Sequence, residues 1–192
     1  MLKTKTPIYL ASKSPRRKNL LKQIGLTFSS FSVELNEEIL DGEHPIKTVK
    51  RLALEKLILA EEKLTEGIII TADTIVVIDK EIIGKPKTKN AAKLILEKLS
   101  GRTHYVYTGY SIKNLLKNKV ITDYSRTSVS FRELSNSEIR DYINTGSPMD
   151  KAGAYGIQDD YGAVFISKIR GCYYNVMGLP LSKVYLSLLK IL

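Results

Sequence analysis

The stretch from residue 67 to residue 86 constrains the fold most, because a strand, an acid and a lysine follow one another within it. It opens with an apolar run that predicts a buried strand, and Asp73 stands where that strand is expected to end. Residues 75–78 and 81–83 form two short apolar runs around a two-residue turn, which predicts a hairpin. The far end of the hairpin carries Lys85 between a glycine and a proline.

This arrangement has two interpretations. A strand-end acid with a lysine brought back beside it, and a glycine that lets the backbone come close, suits a site for a charged, metal-bound ligand. The alternative is a solvated aspartate at a strand end and an ordinary turn lysine. The stretch alone leaves both open.

Length and charge restrict the kind of protein. A chain of 192 residues has room for one domain, or one domain with two lobes, and for a substantial core. Thirty Lys and Arg against twenty Asp and Glu give a formal charge of +10. That charge predicts an anionic partner: a nucleotide, a nucleic acid or an acidic membrane surface.

Cysteine and histidine content restricts the chemistry. The single cysteine, Cys172, leaves no internal disulfide, and a reducing cytoplasm is the expected location. The two histidines, His44 and His104, are far apart in sequence, so a histidine-based zinc site is not expected. Oxygen ligands from Asp and Glu would favour Mg²⁺ or Mn²⁺. No segment is apolar for long enough to predict a membrane span or a signal peptide.

Strand and helix patterns alternate along the rest of the chain, which predicts an α/β fold in a single domain over residues 1–192. The predicted strands are 8–11, 27–33, 102–113, 120–131 and 163–169, and the predicted helices are 15–24, 45–64, 89–99, 136–145 and 181–192.

Two arginines, Arg16 and Arg17, fall in the first turn of the first predicted helix, after the N-cap Ser14 and after Pro15. Basic residues there oppose the helix dipole. This loss of helix stability is understandable if the helix start binds a phosphate chain. Two solvated arginines on a basic surface are the alternative.

Two further segments carry polar residues. Lys56 lies in the long helix predicted at 45–64, and on the helical pattern alone it is interpreted as a solvated lysine. The glycine-rich segment 148–158 carries Asp150, Lys151 and Gln158, and it is typical of a loop that faces a ligand.

Several motifs, in this order, resemble one family. They are Leu10-Ala-Ser-Lys-Ser-Pro-Arg-Arg17, Ala72-Asp-Thr-Ile-Val76 with Gly84-Lys-Pro86, Leu99-Ser-Gly-Arg-Thr-His104, and Asp150-Lys-Ala-Gly-Ala-Tyr-Gly-Ile-Gln158 with Asn175-Val-Met-Gly-Leu-Pro180. The chain is similar to the Maf family of nucleoside triphosphate pyrophosphatases over nearly its whole length. The resemblance implies an elongated, twisted, mixed sheet flanked by helices, with two lobes around a central cleft, as in inosine triphosphatase.

The resemblance also implies an activity. Family members cut a nucleoside triphosphate between the α and β phosphates with a divalent cation. Asp73 matches the proton acceptor, and Glu37 and Asp73 match positions that hold the metal. The positions that match substrate-binding residues are Ser12, Arg16, Arg17, Lys56, Thr74, Lys85 and Gln158.

At Arg16, Thr74 and Gln158 the chain resembles the branch that prefers dTTP and UTP. A glutamine amide both donates to and accepts from the imide edge of thymine or uracil. Two positions depart from the family pattern: Ser147 stands where many relatives have Glu, and Asp159 stands where Gly is usual. The resemblance therefore implies a dTTP and UTP pyrophosphatase that also acts on modified pyrimidine triphosphates.

Two other functions remain as alternatives. The charge and eleven tyrosines suggest a nucleic-acid-binding module, although the basic residues are scattered and no recognition motif is present. A regulator of cell division without turnover is the second. The expected partners are a nucleoside triphosphate and a second copy of the chain in a homodimer, with no stable nucleic acid and no membrane.

Overall fold

The structure, a computed structural model, describes residues 2, 4–158 and 160–192. The chain divides into two compact units. Unit 1 comprises residues 1–73, 108–125 and 178–192, and unit 2 comprises residues 74–107 and 126–177.

The described residues form seven strands and six α-helices. The strands are β1 (Ile8–Ala11), β2 (Ser29–Phe31), β3 (Ile68–Ile78), β4 (Glu81–Ile83), β5 (Thr103–Asn114), β6 (Lys119–Phe131) and β7 (Ile166–Arg170). The helices are α1 (Pro15–Gln23), α2 (Pro45–Glu61), α3 (Lys89–Leu99), α4 (Asn136–Asn144), α5 (Tyr173–Val176) and α6 (Leu181–Ile191). Short 3-10 helices span Ser147–Asp150, Ala152–Ala154 and Asp160–Phe165.

All seven strands belong to one mixed sheet in the order β2-β1-β3-β5-β6-β7, and β4 pairs with β3. Strand β1 pairs in parallel with β2 and with β3, where Ile8 lies opposite Ile68 and Leu10 opposite Ile70. The pairs β3–β4 and β6–β7 are antiparallel. This confirms the predicted α/β class with a mixed sheet.

Unit 1 is built around the parallel strands and α2. One face of α2 is buried, with Val49, Leu52 and Leu57 each at most 1% exposed. The Oγ1 of Thr71 donates a 2.7 Å hydrogen bond to the carbonyl oxygen of Ala53, which fixes β3 against the helix. The helix and the strand that carry the predicted site are therefore held in register.

Unit 2 has its own core. The side chains of α3 and α4 pack there with aromatic rings from β6 and from the last 3-10 helix. The Phe131, Tyr142 and Phe165 rings are buried, and the Tyr142 and Phe165 ring centroids lie 5.1 Å apart.

The predicted hairpin is confirmed, with Val76 opposite Ile83. Its turn residues Asp79 and Lys80 both have positive φ, 52° and 67°, as a type I′ turn requires. Arg102 donates to both carboxylate oxygens of Asp79, at 2.6 and 2.7 Å, which ties the turn to the start of β5.

Some boundaries differ from the predictions. Strand β2 covers three residues rather than residues 27–33, and residues 160–165 form a 3-10 helix instead of the start of β7. The short helix α5 was not predicted. Strand β3 continues through Asp73 to Ile78, so the prediction that a strand ends at Asp73 was wrong.

None of the helices in the described part of the chain is long and apolar enough to cross a membrane.

Candidate functional site

Asp73 lies just beyond the parallel part of the sheet. Strand β3 pairs with β1 as far as Ile70, and Asp73 follows three residues later on β3. The residue is 5% exposed, so its carboxylate is largely removed from water while a small part of the residue stays accessible. A carboxylate in this setting needs a partner that compensates its charge.

Lys56 is that partner. Its Nζ donates to Asp73 Oδ1 at 2.5 Å and to Glu37 Oε1 at 2.6 Å. Lys56 is only 9% exposed, so its interpretation as a solvated helix lysine was wrong. The helical pattern missed this because the two acids lie seventeen and nineteen residues away in the chain.

Glu37 lies in the loop between β2 and α2, and Arg51 of α2 holds that loop. The Arg51 guanidinium donates to the carbonyl oxygen of Glu38 at 3.0 Å and to both carboxylate oxygens of Glu43. The hydrogen bonds to Glu43, and a smaller effect from Glu55, raise the pKa of Arg51 above its ordinary value. Glu37 is thus the exposed member of the cluster, on a loop anchored to the helix that carries Lys56.

The start of α1 contributes a second set of polar groups. Ser14 caps the helix as predicted, because its hydroxyl accepts a hydrogen bond from the Arg17 backbone N–H. The Arg17 guanidinium donates to the carbonyl oxygen of Gly178 at 2.8 Å and to Ser12 Oγ at 3.4 Å. These bonds fix the direction of the arginine.

Electrostatics link Arg17 to the acids. Burial lowers the pKa of the Arg17 guanidinium, the Asp73 carboxylate opposes that shift, and Arg16 and Glu37 have smaller effects in opposite directions. The charges of the Asp73 and Glu37 carboxylates therefore act on the Arg17 guanidinium. Unit 1 brings together five predicted site residues, Ser12, Arg17, Glu37, Lys56 and Asp73, and Arg16 stands beside them as the half-buried neighbour of Arg17.

Unit 2 carries the remaining predicted residues. Thr74 is half-buried on β3, and Lys85 is exposed just after β4. The carbonyl oxygen of Gly84 accepts a 3.2 Å hydrogen bond from the backbone N–H of Gly153. The residue before Lys85 is therefore fixed to the glycine-rich segment.

That segment is tightly constrained. Lys151 is 7% exposed and donates to the carbonyl oxygen of Ser147 at 2.6 Å and to Asp150 Oδ1 at 2.8 Å. Gly153 and Ala154 both adopt left-handed backbone, with φ of 73° and 58°. A left-handed alanine costs roughly 1–2 kcal/mol, so packing around the fully buried Ala154 has to offset it. Ser147, one of the two departures, accepts a further hydrogen bond from Lys151 at its hydroxyl.

A buried histidine supports the same segment. His104 Nε2 lies 2.8 Å from the hydroxyl oxygen of Tyr155, and the His104 ring meets the Phe131 ring edge to face at 5.1 Å. Burial lowers the pKa of His104 to about 4 and raises that of Tyr155 above its ordinary value. Both groups are therefore uncharged at neutral pH.

Gln158 ends the segment. Both its amide nitrogen and its amide oxygen are buried, and neither has a hydrogen-bond partner among the described residues. An amide left in this state costs about 1–3 kcal/mol. A ligand with one acceptor and one donor would remove that cost. The other departure, Asp159, lies outside the described residues.

The sequence did not indicate two of the groups found here. One is the backbone carbonyl of Gly178, for which a sequence gives no signal. The other is Arg51, whose position four residues before Glu55 fits a helical ion pair and conceals its contact with the loop.

Glu37 and Asp73 of the cluster in unit 1 are the candidate ligands for a metal ion. The described residues contain no group of three or more Asp, Glu, His or Cys side chains that could hold a metal. Glu37 and Asp73 nevertheless converge on one positive atom, the Lys56 Nζ. Mg²⁺ is commonly held by one or two carboxylates, with water and substrate phosphate filling the other positions. Two converging carboxylates are therefore enough for a metal that arrives with a phosphate ligand.

Comparison with known proteins identifies the family. A family described as Maf-like protein matches residues 7–191. The chain is 47% identical to a dTTP/UTP pyrophosphatase of Clostridioides difficile over 176 residues, which are 92% of this chain and 90% of the relative. It is 48% identical to a dTTP/UTP pyrophosphatase of Dictyoglomus thermophilum over 179 residues, 92% of each chain. A relative of the same name in Syntrophomonas wolfei is 46% identical, over 92% of this chain and 93% of the relative. This chain therefore belongs to the Maf-like protein family.

Proposed function

We propose that the chain is a nucleoside triphosphate pyrophosphatase that hydrolyses dTTP and UTP between the α and β phosphates. The products are the nucleoside monophosphate and pyrophosphate. The observation that carries this proposal is the buried Asp73 carboxylate, which shares the Lys56 ammonium with Glu37 beside the fixed guanidinium of Arg17. Relatives that bear the name dTTP/UTP pyrophosphatase support the substrate class.

Asp73 is the proposed general base. It accepts a proton from the water that attacks the α phosphorus, and this role requires a carboxylate held in one orientation. Asp73 lies within β3, and this strand holds the carboxylate in place. The bond between the α phosphorus and the bridging oxygen then breaks, and pyrophosphate leaves.

Arg17, Lys56 and Lys85 are the proposed cations for the phosphate chain, with Ser12 donating a hydroxyl. Negative charge gathers on the phosphoryl oxygens in the transition state, and fixed donors stabilise it better than mobile water can. Arg17 is already fixed by Gly178 and Ser12, so little reorganisation is needed.

Glu37 and Asp73 are the proposed ligands of a divalent cation, Mg²⁺ or Mn²⁺. When bound, the cation neutralises charge on the phosphate oxygens. The two carboxylates fit this role because their oxygens already lie at 2.6 and 2.5 Å from one positive atom.

Gln158 is the proposed reader of the base, with Arg16 and Thr74 as further substrate-binding residues. Thymine and uracil present a carbonyl oxygen and an N–H side by side, which match the donor and acceptor of an amide. The unpartnered amide of Gln158 supports this assignment within the described residues. Modified pyrimidine triphosphates that keep this edge are included in the proposal.

A cytoplasmic location and a homodimer are also part of the proposal; the first rests on the single cysteine. The comparisons give no support to a nucleic-acid-binding or regulatory role without turnover.

The test is a panel of nucleoside triphosphates incubated with the protein and Mg²⁺ or Mn²⁺, with the phosphate products identified. We expect pyrophosphate from dTTP and UTP, and a loss of about 10²- to 10⁴-fold in kcat for Asp73→Asn. Asp41→Asn, an exposed acid of the same unit, is the control and should keep full activity. Orthophosphate as the first product, or an active and folded Asp73→Asn variant, would contradict the proposal.

A further inference from the structure

The Lys56 ammonium lies between the two carboxylates that are proposed to hold the metal. Its Nζ is 2.5 Å from an oxygen of Asp73 and 2.6 Å from an oxygen of Glu37. Mg²⁺ bound by the same two oxygens would need metal–oxygen distances of about 2.0–2.1 Å. The ammonium and the metal would therefore compete for nearly the same space and for the same acceptor atoms.

The surroundings make this competition strong. The Lys56 side chain is 11% exposed and that of Asp73 is 7% exposed, so water screens their charges poorly. A metal that entered while the ammonium stayed would meet a positive charge at close range. An ammonium that left without a new acceptor would become a buried, unpaired charge, which is also unfavourable.

A triphosphate removes the conflict. Its oxygens offer the ammonium new acceptors, and the four-carbon stem of a lysine can turn toward them without a change in the backbone. The carboxylates are then released to the metal. Binding of the metal and binding of the nucleotide become coupled, and by linkage each strengthens the other.

We propose that Lys56 is a counter-cation that keeps Glu37 and Asp73 closed to divalent metal until a nucleoside triphosphate arrives. The metal then enters together with the nucleotide and not before it. This inference rests on the proposed function of the site. It explains why a lysine stands between two acids that the reaction needs for another cation.

The test measures Mn²⁺ binding to the nucleotide-free protein, using the electron paramagnetic resonance signal of free Mn²⁺. Lys56→Gln should bind one Mn²⁺ about tenfold or more tightly than wild type, because no ammonium has to be displaced from two charge-assisted hydrogen bonds. Lys47→Gln, an exposed lysine on the same helix, changes the net charge equally and should bind Mn²⁺ as weakly as wild type. The double variant Lys56→Gln with Glu37→Gln should bind Mn²⁺ more weakly than Lys56→Gln alone, because one of the two carboxylates is missing.

Thermal unfolding gives a second readout. Lys56→Gln should unfold at a lower temperature than wild type without metal, because two carboxylates lose their partner, and Mn²⁺ should restore much of the difference. Mn²⁺ alone should leave the unfolding temperature of wild type nearly unchanged.

Equal Mn²⁺ affinity in wild type, Lys56→Gln and Lys47→Gln would overturn the proposal. Should Lys56→Gln fail to fold, wild type and Glu37→Gln still decide. Tight Mn²⁺ binding by nucleotide-free wild type that Glu37→Gln abolishes would contradict it, and equally weak binding by both would support it. Hydrolysis of dTTP by wild type is measured separately, so failure of the proposed function is distinguishable from failure of the Lys56 proposal.

Discussion

The buried His104 makes a prediction about stability and pH. The residue is fully buried in unit 2, where Tyr155 is its hydrogen-bonding neighbour and Phe131 packs against its ring. Replacing it by glutamine keeps a polar group for Tyr155 but removes the group that titrates. The comparison therefore isolates the charge of the imidazole from the rest of the core.

The sign and size of this pH dependence of stability follow from the lowered pKa of His104. Burial lowers the pKa of His104 from 6.5 in the unfolded chain to about 4 in the folded one. Between these values the unfolded chain binds more protons than the folded chain. The stability that depends on a neutral His104 is therefore fully present above pH 6.5 and is lost as the pH falls toward 4. From about pH 7.5 to about pH 5 the loss amounts to about 2 kcal/mol of the free energy of unfolding.

Urea unfolding of wild type and His104→Gln at both pH values measures this loss. Wild type should lose about 2 kcal/mol more than the variant over that interval. His44→Asn replaces the exposed histidine at the N-cap of α2 by a preferred capping residue and is the control for removal of a histidine elsewhere in the chain. If His104→Gln loses as much stability as wild type, the argument from burial is refuted.

Two further predictions concern the segment around residues 153 and 158. Gln158→Leu removes two buried amide atoms that have no partner in the described chain, so we expect unfolding to need about 1–3 kcal/mol more while kcat/KM for dTTP falls at least about tenfold. A variant that is less stable, or as active as wild type, would contradict this. Gly153→Ala places a Cβ 2.8 Å from Val76 Cγ2 at a φ of 73°, and should cost about 2–4 kcal/mol in urea unfolding. Gly42→Ala, at a φ of 69° with open space around its Cβ, should cost only about 1–2 kcal/mol, and equal losses would exclude the contact with Val76 as the cause.

Local signals predicted many of the elements. Ser14 with Pro15 gave the start of α1, and a capping box of Ser135 and Glu138 marks the start of α4. These signals succeed because the cap and the N–H group it satisfies lie within three residues of each other. The end of a strand has no such local marker, so the prediction of a break at Asp73 failed where the neighbouring strands let β3 continue.

The sequence by itself determined the order of the strands and of the longer helices, the hairpin after Asp73 and the placement of two arginines at a helix start. All of these follow from residues that are neighbours in the chain. Only the tertiary structure decided that Lys56 is buried between Glu37 and Asp73 and that Arg17 is held by the carbonyl of Gly178. The first contacts span 19 and 17 residues and the last spans 161. A helical pattern records which face of α2 is apolar, but a charged side chain near that face is buried only where a distant carboxylate compensates its charge.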